Sequence, residues 1–311
     1  MIDMLKEFYY DSCGTGRIHV CRWEPETAVS GIVQIVHGIA EYAKRYDEFA
    51  RFLNEQGYLV VAEDHMGHGK SIDDPRNTGY FTGGWFTAVD DTFKLMKMTM
   101  EEFPDVPYIL FGHSMGSFMA RTILARYPDS GITGAVICGT GWQPTPVLKA
   151  GIGIAGSICK FGDPRKSSAV LQNLMFGSYN RKVEHPRTAY DWLSRMNQVV
   201  DAYVEDPLCG FTPTAGLAWD MLLGIEYIQK QSNLQKMEKD LPVLFVAGGD
   251  DPVGSYGEGV RKTARMFKSA GMENVTTQIY PLCRHEILNE LNRQDIYQDI
   301  GNWISKTIGT K

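Results

Sequence analysis

Residues 112–116 read Gly112-His113-Ser114-Met115-Gly116, a Gly-x-Ser-x-Gly pattern that sets a serine hydroxyl between two residues without side chains. A serine hydroxyl attacks a carbonyl only when a base takes its proton, and that base needs a carboxylate to fix its tautomer. Two histidines follow Ser114: His185 in a charged stretch beside Pro186, and His285 near the end of the chain. His285 is the expected base. The acid is expected in Gly248-Gly249-Asp250-Asp251-Pro252-Val253, where either aspartate could serve; adjacent side chains point to different sides, so only one can face His285. Negative charge developing on the substrate carbonyl needs two preorganised donors, one being the backbone N–H of Met115. The other is expected from His37-Gly38-Ile39-Ala40-Glu41, where glycine lets backbone approach a substrate closely. His37 precedes both serine and acid, so it is read as ordering that loop. This chemistry is acyl transfer through an acyl-serine, with no cofactor and no metal expected.

Such groups must be held by strand ends. The apolar run 108–111 has strand length, and residues 117–126 have helical composition stopped by Tyr127-Pro128, so Ser114 is expected on a sharp strand-to-helix turn. Two antiparallel strands are expected near 7–10 and 18–23, turning at Gly14-Thr15-Gly16. From residue 31, strands at 32–36, 58–62, 108–111 and 134–138 alternate with helices at 45–56, 85–103 and 117–126, which implies a parallel sheet covered on both faces. The alternation stops after Gly139 and resumes with a strand at 241–246, a helix at 259–269, a strand at 275–280 and a helix at 294–307. Doubly wound sheets with this chemistry order their residues nucleophile, acid, histidine, as here.

Residues 1–141 and 240–311 therefore form the expected core, and residues 142–239 an inserted lid or cap. The insertion carries eleven Lys and Arg against nine Asp and Glu, a charge of +2, which leaves −8 for the remainder of a chain at −6. Helices are expected at 186–204 and 214–230. Its large apolar residues, among them Trp142, Phe161, Phe176, Trp192, Met196 and Trp219, are expected mostly to pack, with some lining a pocket.

Composition narrows the function classes. The chain has 311 residues and 43% apolar content, enough for a large core, and a net charge of −6 without a basic run, so no nucleic acid partner is expected. Residues 1–6 lack the basic and apolar regions of an export signal. The six cysteines are scattered without CxxC spacing, which suits free thiols in a reducing cytoplasm. Gly151-Ile152-Gly153-Ile154-Ala155-Gly156 matches a dinucleotide fingerprint in letters, but no strand precedes it and no acidic residue follows at the required distance. His65 and His68 lie in a Gly-rich loop rather than on a metal-binding helix, and Gly116-Ser117 lacks the lysine of a phosphate loop.

His37-Gly38, Asp64-His65-Met66-Gly67-His68-Gly69-Lys70-Ser71, Gly112-His113-Ser114-Met115-Gly116-Ser117, Gly249-Asp250-Asp251-Pro252-Val253 and Arg284-His285-Glu286 together resemble the monoacylglycerol lipase and lysophospholipase group of α/β-hydrolases. The resemblance covers nearly the whole core. It implies an α/β-hydrolase fold with a mostly parallel eight-stranded sheet, Asp251 as the acid, and the N–H groups of Ile39 and Met115 as oxyanion donors. It also implies a serine esterase whose small-molecule substrate is a single-chain acyl ester. Ala40 and Tyr42 stand where the family usually carries Gly and His, so an oxyanion loop of different shape is expected. An aminopeptidase of the same fold would need lid carboxylates such as Glu205, Asp206 or Asp220 for a free amine, and a ligand receptor could keep the fold without turnover. Ser114 excludes related enzymes with an aspartate nucleophile. The apolar segment 147–161, with Lys149 and Lys160 near its ends, is expected to be a buried lid helix, or else to touch a lipid surface transiently.

Overall fold

A strand buried on both faces needs a continuous apolar run, whereas a strand open to water on one face alternates. In the computed structural model, which describes residues 5–309, both kinds occur in one eight-stranded sheet. The reading of the amino terminus extends over residues 1–4, which lie outside the described residues. Strands β1 (Leu5–Asp11) and β2 (Arg17–Trp23) form an antiparallel hairpin, and β2 pairs antiparallel with β4 (Tyr58–Glu63). From there β3 (Gly31–Val36), β5 (Tyr108–His113), β6 (Gly134–Cys138), β7 (Val243–Gly248) and β8 (Val275–Tyr280) continue in parallel, giving the order β1-β2-β4-β3-β5-β6-β7-β8. Every residue of β3 to β7 is buried.

Successive side chains of these strands enter opposite layers. Val33, Ile35, Ile109, Phe111 and Val246 pack toward α1 (Asp47–Glu55) and the carboxy-terminal helix (Arg293–Gly309). Ile32, Val36, Leu110, Ile137 and Phe245 pack toward α2 (Trp85–Glu102), α3 (Met115–Arg126) and the helix Glu258–Ser269. Register then aligns the strand ends: Val36 pairs with Gly112, His113 with Cys138, Cys138 with Val246, and Gly248 with Tyr280. The loops leaving β3, β5, β7 and β8 thus emerge along one edge, the carboxyl edge where open parallel sheets hold ligands.

Between β6 and β7 the chain forms α4 (Thr145–Phe161), α5 (Ala169–Phe176), α6 (Asn197–Glu205), α7 (Ala215–Gln229) and the short α8 (Gln231–Leu234), followed after β7 by α9 (Glu258–Ser269) and after β8 by α10 (Arg293–Gly309). The expected helix 186–204 is corrected to α6 alone. Upstream of it the Asp191 carboxylate accepts the N–H groups of Arg187 and Thr188, and Asn180 bonds the carbonyl of Thr188 and the N–H of Trp192. These side-chain bonds take backbone groups that a helix would need. The Gly-x-Gly-x-x-Gly run lies inside α4. That helix is only partly buried: Leu148 and Ala155 face inward, while Val147, Ile154 and Phe161 are exposed, Phe161 by 83%. Among the described residues no helix is long and apolar enough to cross a membrane.

The two glycines around Ser114 have different neighbours from those on α4. A Cβ at Gly116 would intrude on the carbonyls of Val36 and His37, and one at Gly112 would lie 2.5 Å from the carbonyl of Gly116; a Cβ at Gly153 would meet nothing within 4 Å. Gly116→Ala is therefore expected to lose about 2–3 kcal/mol or more through overpacking, whereas Gly153→Ala gains about 0.5–1 kcal/mol from helix propensity. Urea unfolding of both variants checks the contrast, and equal stabilities would refute it.

Candidate active site

Ser114 leaves β5 at φ 54°, ψ −121°, in a region that side chains rarely occupy. The turn is held by its N–H donating to the Cys138 carbonyl at 3.0 Å and by the Ser117 hydroxyl donating to the Ser114 carbonyl at 2.6 Å. Met115 opens α3, so its N–H has no intrahelical acceptor and belongs to the positive end of the helix. A Cβ on Gly38 would lie 3.0 Å from Ser114 Cβ, so the β3 loop backbone runs directly against the serine.

His285 and Asp251 meet from separate loops. His285 Nδ1 lies 3.0 Å from Asp251 Oδ1, with both residues essentially buried. The N–H is not straight onto the carboxylate, so the contact is of ion-pair range rather than an aligned hydrogen bond; such bonds commonly tighten only when substrate is bound. The same Asp251 oxygen accepts the Val253 N–H at 2.9 Å, whereas Asp250 is exposed. The His285 ring stands between His113 and Trp192, with centroids 4.8 and 5.1 Å away. His185 is exposed, far in the chain from this loop and outside the cavity lining.

His37 has the ordering role expected of it. Its Nε2 accepts the His65 N–H at 2.9 Å, which leaves Nδ1 to donate to the Gly38 carbonyl at 2.7 Å. Burial and the neighbouring His65 and His68 hold its pKa well below the ordinary histidine value. Ala40, which stands in this loop, sits at φ 55°, and its carbonyl accepts from the Tyr203 hydroxyl at 2.9 Å and from the Gly210 N–H at 3.0 Å. Tyr42 donates to Asp206 at 2.7 Å. The β6–β7 segment thus grips the loop after β3 at three points.

Beneath the serine lies an ionic cluster that the motifs did not reveal. Arg45 binds Glu286 through two bonds of 2.8 Å and Glu41 through one of 2.6 Å; Glu41 also accepts from the Gly38 N–H at 2.6 Å and the Tyr46 hydroxyl at 3.0 Å. His113 Nδ1 lies 2.9 Å from the Tyr46 oxygen and 3.3 Å from Glu41, and its Nε2 reaches the His285 carbonyl at 3.4 Å. Burial alone would raise the Glu41 carboxyl, but His113 and Arg45 outweigh it and hold its pKa well below the ordinary value; Glu286 is likewise held low, against burial, by Arg45. For His113 burial pulls downward, and Glu41 overrides it upward. Arg45 and Glu286 stand 241 residues apart, so only the fold could reveal the pairing.

A cavity of about 300 Å³ opens onto Ser114 and His285. Core residues Gly38, Ile39 and Glu41 form its floor, and Phe176, Tyr190, Trp192, Leu193, Tyr203 and Phe211 from the β6–β7 segment form its walls. Of the large apolar residues singled out in the insertion, Phe176 and Trp192 line it. None of Glu205, Asp206 and Asp220 does.

A mostly parallel eight-stranded sheet, helices on both faces and a strained serine at the carboxyl edge define a hydrolase of the α/β-hydrolase class. The chain belongs to the serine aminopeptidase S33 family, whose model matches residues 27–292. It is 29% identical over 304 residues to a monoacylglycerol lipase of Mycolicibacterium smegmatis, covering 96% of each chain, and 27% identical over 304 residues to the human monoglyceride lipase, covering 95% of this chain and 89% of that one. A thermostable carboxyl esterase from Bacillus coagulans, solved with glycerol, superposes with a TM-score of 0.91 at 31% identity over 98% of this chain and 99% of that one. Fold and relatives together support an esterase or lipase.

The ionic cluster has a measurable consequence. Both carboxyls are held below their unfolded-state values, so their stabilisation is fully present above those values and is lost as pH falls through the folded ones. Arg45→Met leaves two buried carboxylates without their cation and should cost about 3–5 kcal/mol at pH 7. The deficit should shrink toward pH 4 as the carboxyls take up protons, and urea titrations at the two pH values check both sign and size.

Proposed function

We propose that the protein is a serine carboxylic-ester hydrolase acting through an acyl-enzyme on single-chain acyl esters of the monoacylglycerol or lysophospholipid type. In this reading the Ser114 hydroxyl attacks the ester carbonyl while His285 takes its proton and passes it to the departing alkoxide. Asp251 holds the imidazole and stabilises its charged form, and the N–H groups of Ile39 and Met115 receive the oxyanion. Water then attacks the acyl-serine by the same route in reverse. The observation that carries the reading is the aromatic-walled cavity opening onto Ser114 and His285, together with relatives named for monoacylglycerol and carboxyl ester hydrolysis.

Residues 142–239 act in this reading as a lid over the 1–141 and 240–311 core. Val170 and Leu174 of α5 face outward, exposed by 58% and 60%, while Ala169 and Phe176 of the same helix line the cavity, an arrangement that supports transient contact between the lid and a lipid surface. The six free thiols support a reducing, cytoplasmic setting. The family's name raises the aminopeptidase alternative. Against it, the two carboxylates of the cavity lining, Glu41 and Glu286, are both bound by Arg45 and are not available to a substrate amine.

A fluorophosphonate should label the protein one to one and fail on Ser114→Ala; labelling that survives in the alanine variant would remove Ser114 from this role. His285→Ala should lower kcat by roughly 10³ or more, and Asp251→Asn should damage activity while Asp250→Asn does not. Across aryl esters of rising chain length, kcat/KM should climb by an order of magnitude or more over a few carbons, since each buried methylene contributes up to ~0.8 kcal/mol. A steady fall from acetate onward, or preference for an amino-acid arylamide, would replace the lipid-ester reading with a small-ester esterase or an aminopeptidase.

A further inference from the structure

Away from the cavity, three side chains able to bind metal converge on one face of the β1–β2 hairpin. The strand register places Glu7 opposite Cys21, and His19 lies two residues from Cys21, so all three project to the same side. One donor atom from each lies within 4.8 Å of the others.

The orientation of His19 is fixed. Its Nδ1 lies 2.8 Å from Asp64 Oδ2, and the Asp64 carboxylate also accepts the N–H groups of Ala43 and Lys70 at 2.8 Å each. A carboxylate that accepts from two backbone donors takes the imidazole proton as a third, so Nδ1 carries the hydrogen and Nε2 presents a lone pair. That Nε2 is buried without a hydrogen-bond partner among the described residues, on a residue only 2% exposed, and lies 3.6 Å from Glu7 Oε2. The lone pair thus faces an oxygen of the part-exposed Glu7 carboxylate, an arrangement that a cation between them would satisfy. Lys70 binds Glu7 at 2.5 Å, but its side chain is half exposed.

We propose that His19, Cys21 and Glu7 form a site for a zinc-type divalent cation, with Asp64 as the positioning residue that orients His19. Nitrogen, sulfur and oxygen donors together suit a borderline-soft cation and disfavour calcium or magnesium. A histidine whose second ring nitrogen donates to a carboxylate is the usual support for a metal ligand. Bonds of about 2.0–2.3 Å in tetrahedral geometry set donors roughly 3.5 Å apart; His19 Nε2 and Glu7 Oε2 already lie 3.6 Å apart, so the closing movement falls on the separations to Cys21, which lie within 4.8 Å. Water takes the fourth position. Burial, followed by the charges of Asp64 and Glu7, pushes the Cys21 thiol up to about 12; metal binding therefore forms the metal–sulfur bond with release of the thiol proton, and affinity rises with pH. Such a site would tie the outermost strand to the loop that follows β4.

The test is a cobalt(II) titration of the chelator-treated full chain. The expected result is a thiolate-to-cobalt charge-transfer band that saturates at one ion per chain, strengthens with pH, disappears on adding zinc, and is absent in Cys21→Ser. Glu7→Gln should weaken binding about tenfold, and Lys70→Ala, which removes the competing ammonium, should tighten it by a similar factor. Absence of the band in the unmodified protein, or its persistence in Cys21→Ser, would overturn the site. If Cys21→Ser does not fold, the two surface variants decide: cobalt affinity unchanged in both would also overturn it.

Discussion

Helix α3 can follow β5 without a linker only because its first turn lies against the backbone of β3. At Gly116 the helix meets the Val36 and His37 carbonyls with no room for a Cβ, and this approach lets Ser114 hold φ 54°. Everything proposed for the site depends on that geometry. The same approach brings the β3 loop to the serine, so Gly38 and Ile39 stand beside it, and it turns the amino end of α3 toward any substrate carbonyl. The strain at Ser114 persists because bonds from β6 and from Ser117 over-determine the turn.

A second constraint is charge balance under the serine. Glu41, Arg45, Glu286 and His113 are buried together, and each carboxylate is tolerable there only through its cation and its hydrogen bonds. Because Glu41 holds the Gly38 N–H and Glu286 adjoins His285, the cluster connects the loop after β3 to the loop that carries His285. The stability of the pair and the placement of Gly38 and His285 are therefore linked through one arginine.

The segment between β6 and β7 is not simply laid over this arrangement. The carbonyls of Trp192 and Leu193 accept the N–H groups of His285 and Glu286 at 3.3 and 2.7 Å, and Arg284 bonds the carbonyls of Asp191 and Ser194 at 2.7 and 3.0 Å. Tyr203 and Gly210 hold the Ala40 carbonyl on the opposite side of the cavity. The residues that line the cavity thus carry the same backbone contacts that steady His285 and the loop at 38–40, so substitutions in the two are expected to be coupled.

The strand-helix alternation and the turn at Ser114 were legible in the residues because each is a local signal: an apolar run, a glycine, a proline stop. Strand and helix limits in the core fell within a few residues of expectation for that reason. Tertiary structure alone decided the rest. Which of Asp250 and Asp251 turns inward depends on how the β7 loop packs against β8, and the sequence offered only a family likeness to choose between them. The pairing of Arg45 with Glu286 joins residues that no spacing rule relates, since the contact arises from sheet order, and the approach of Asp64 to His19 likewise comes from the pairing of β2 with β4. The region 186–196 has helical composition but is bent by Asn180 and Asp191, whose short-range bonds to backbone compete with a helix and leave no trace in hydrophobic periodicity.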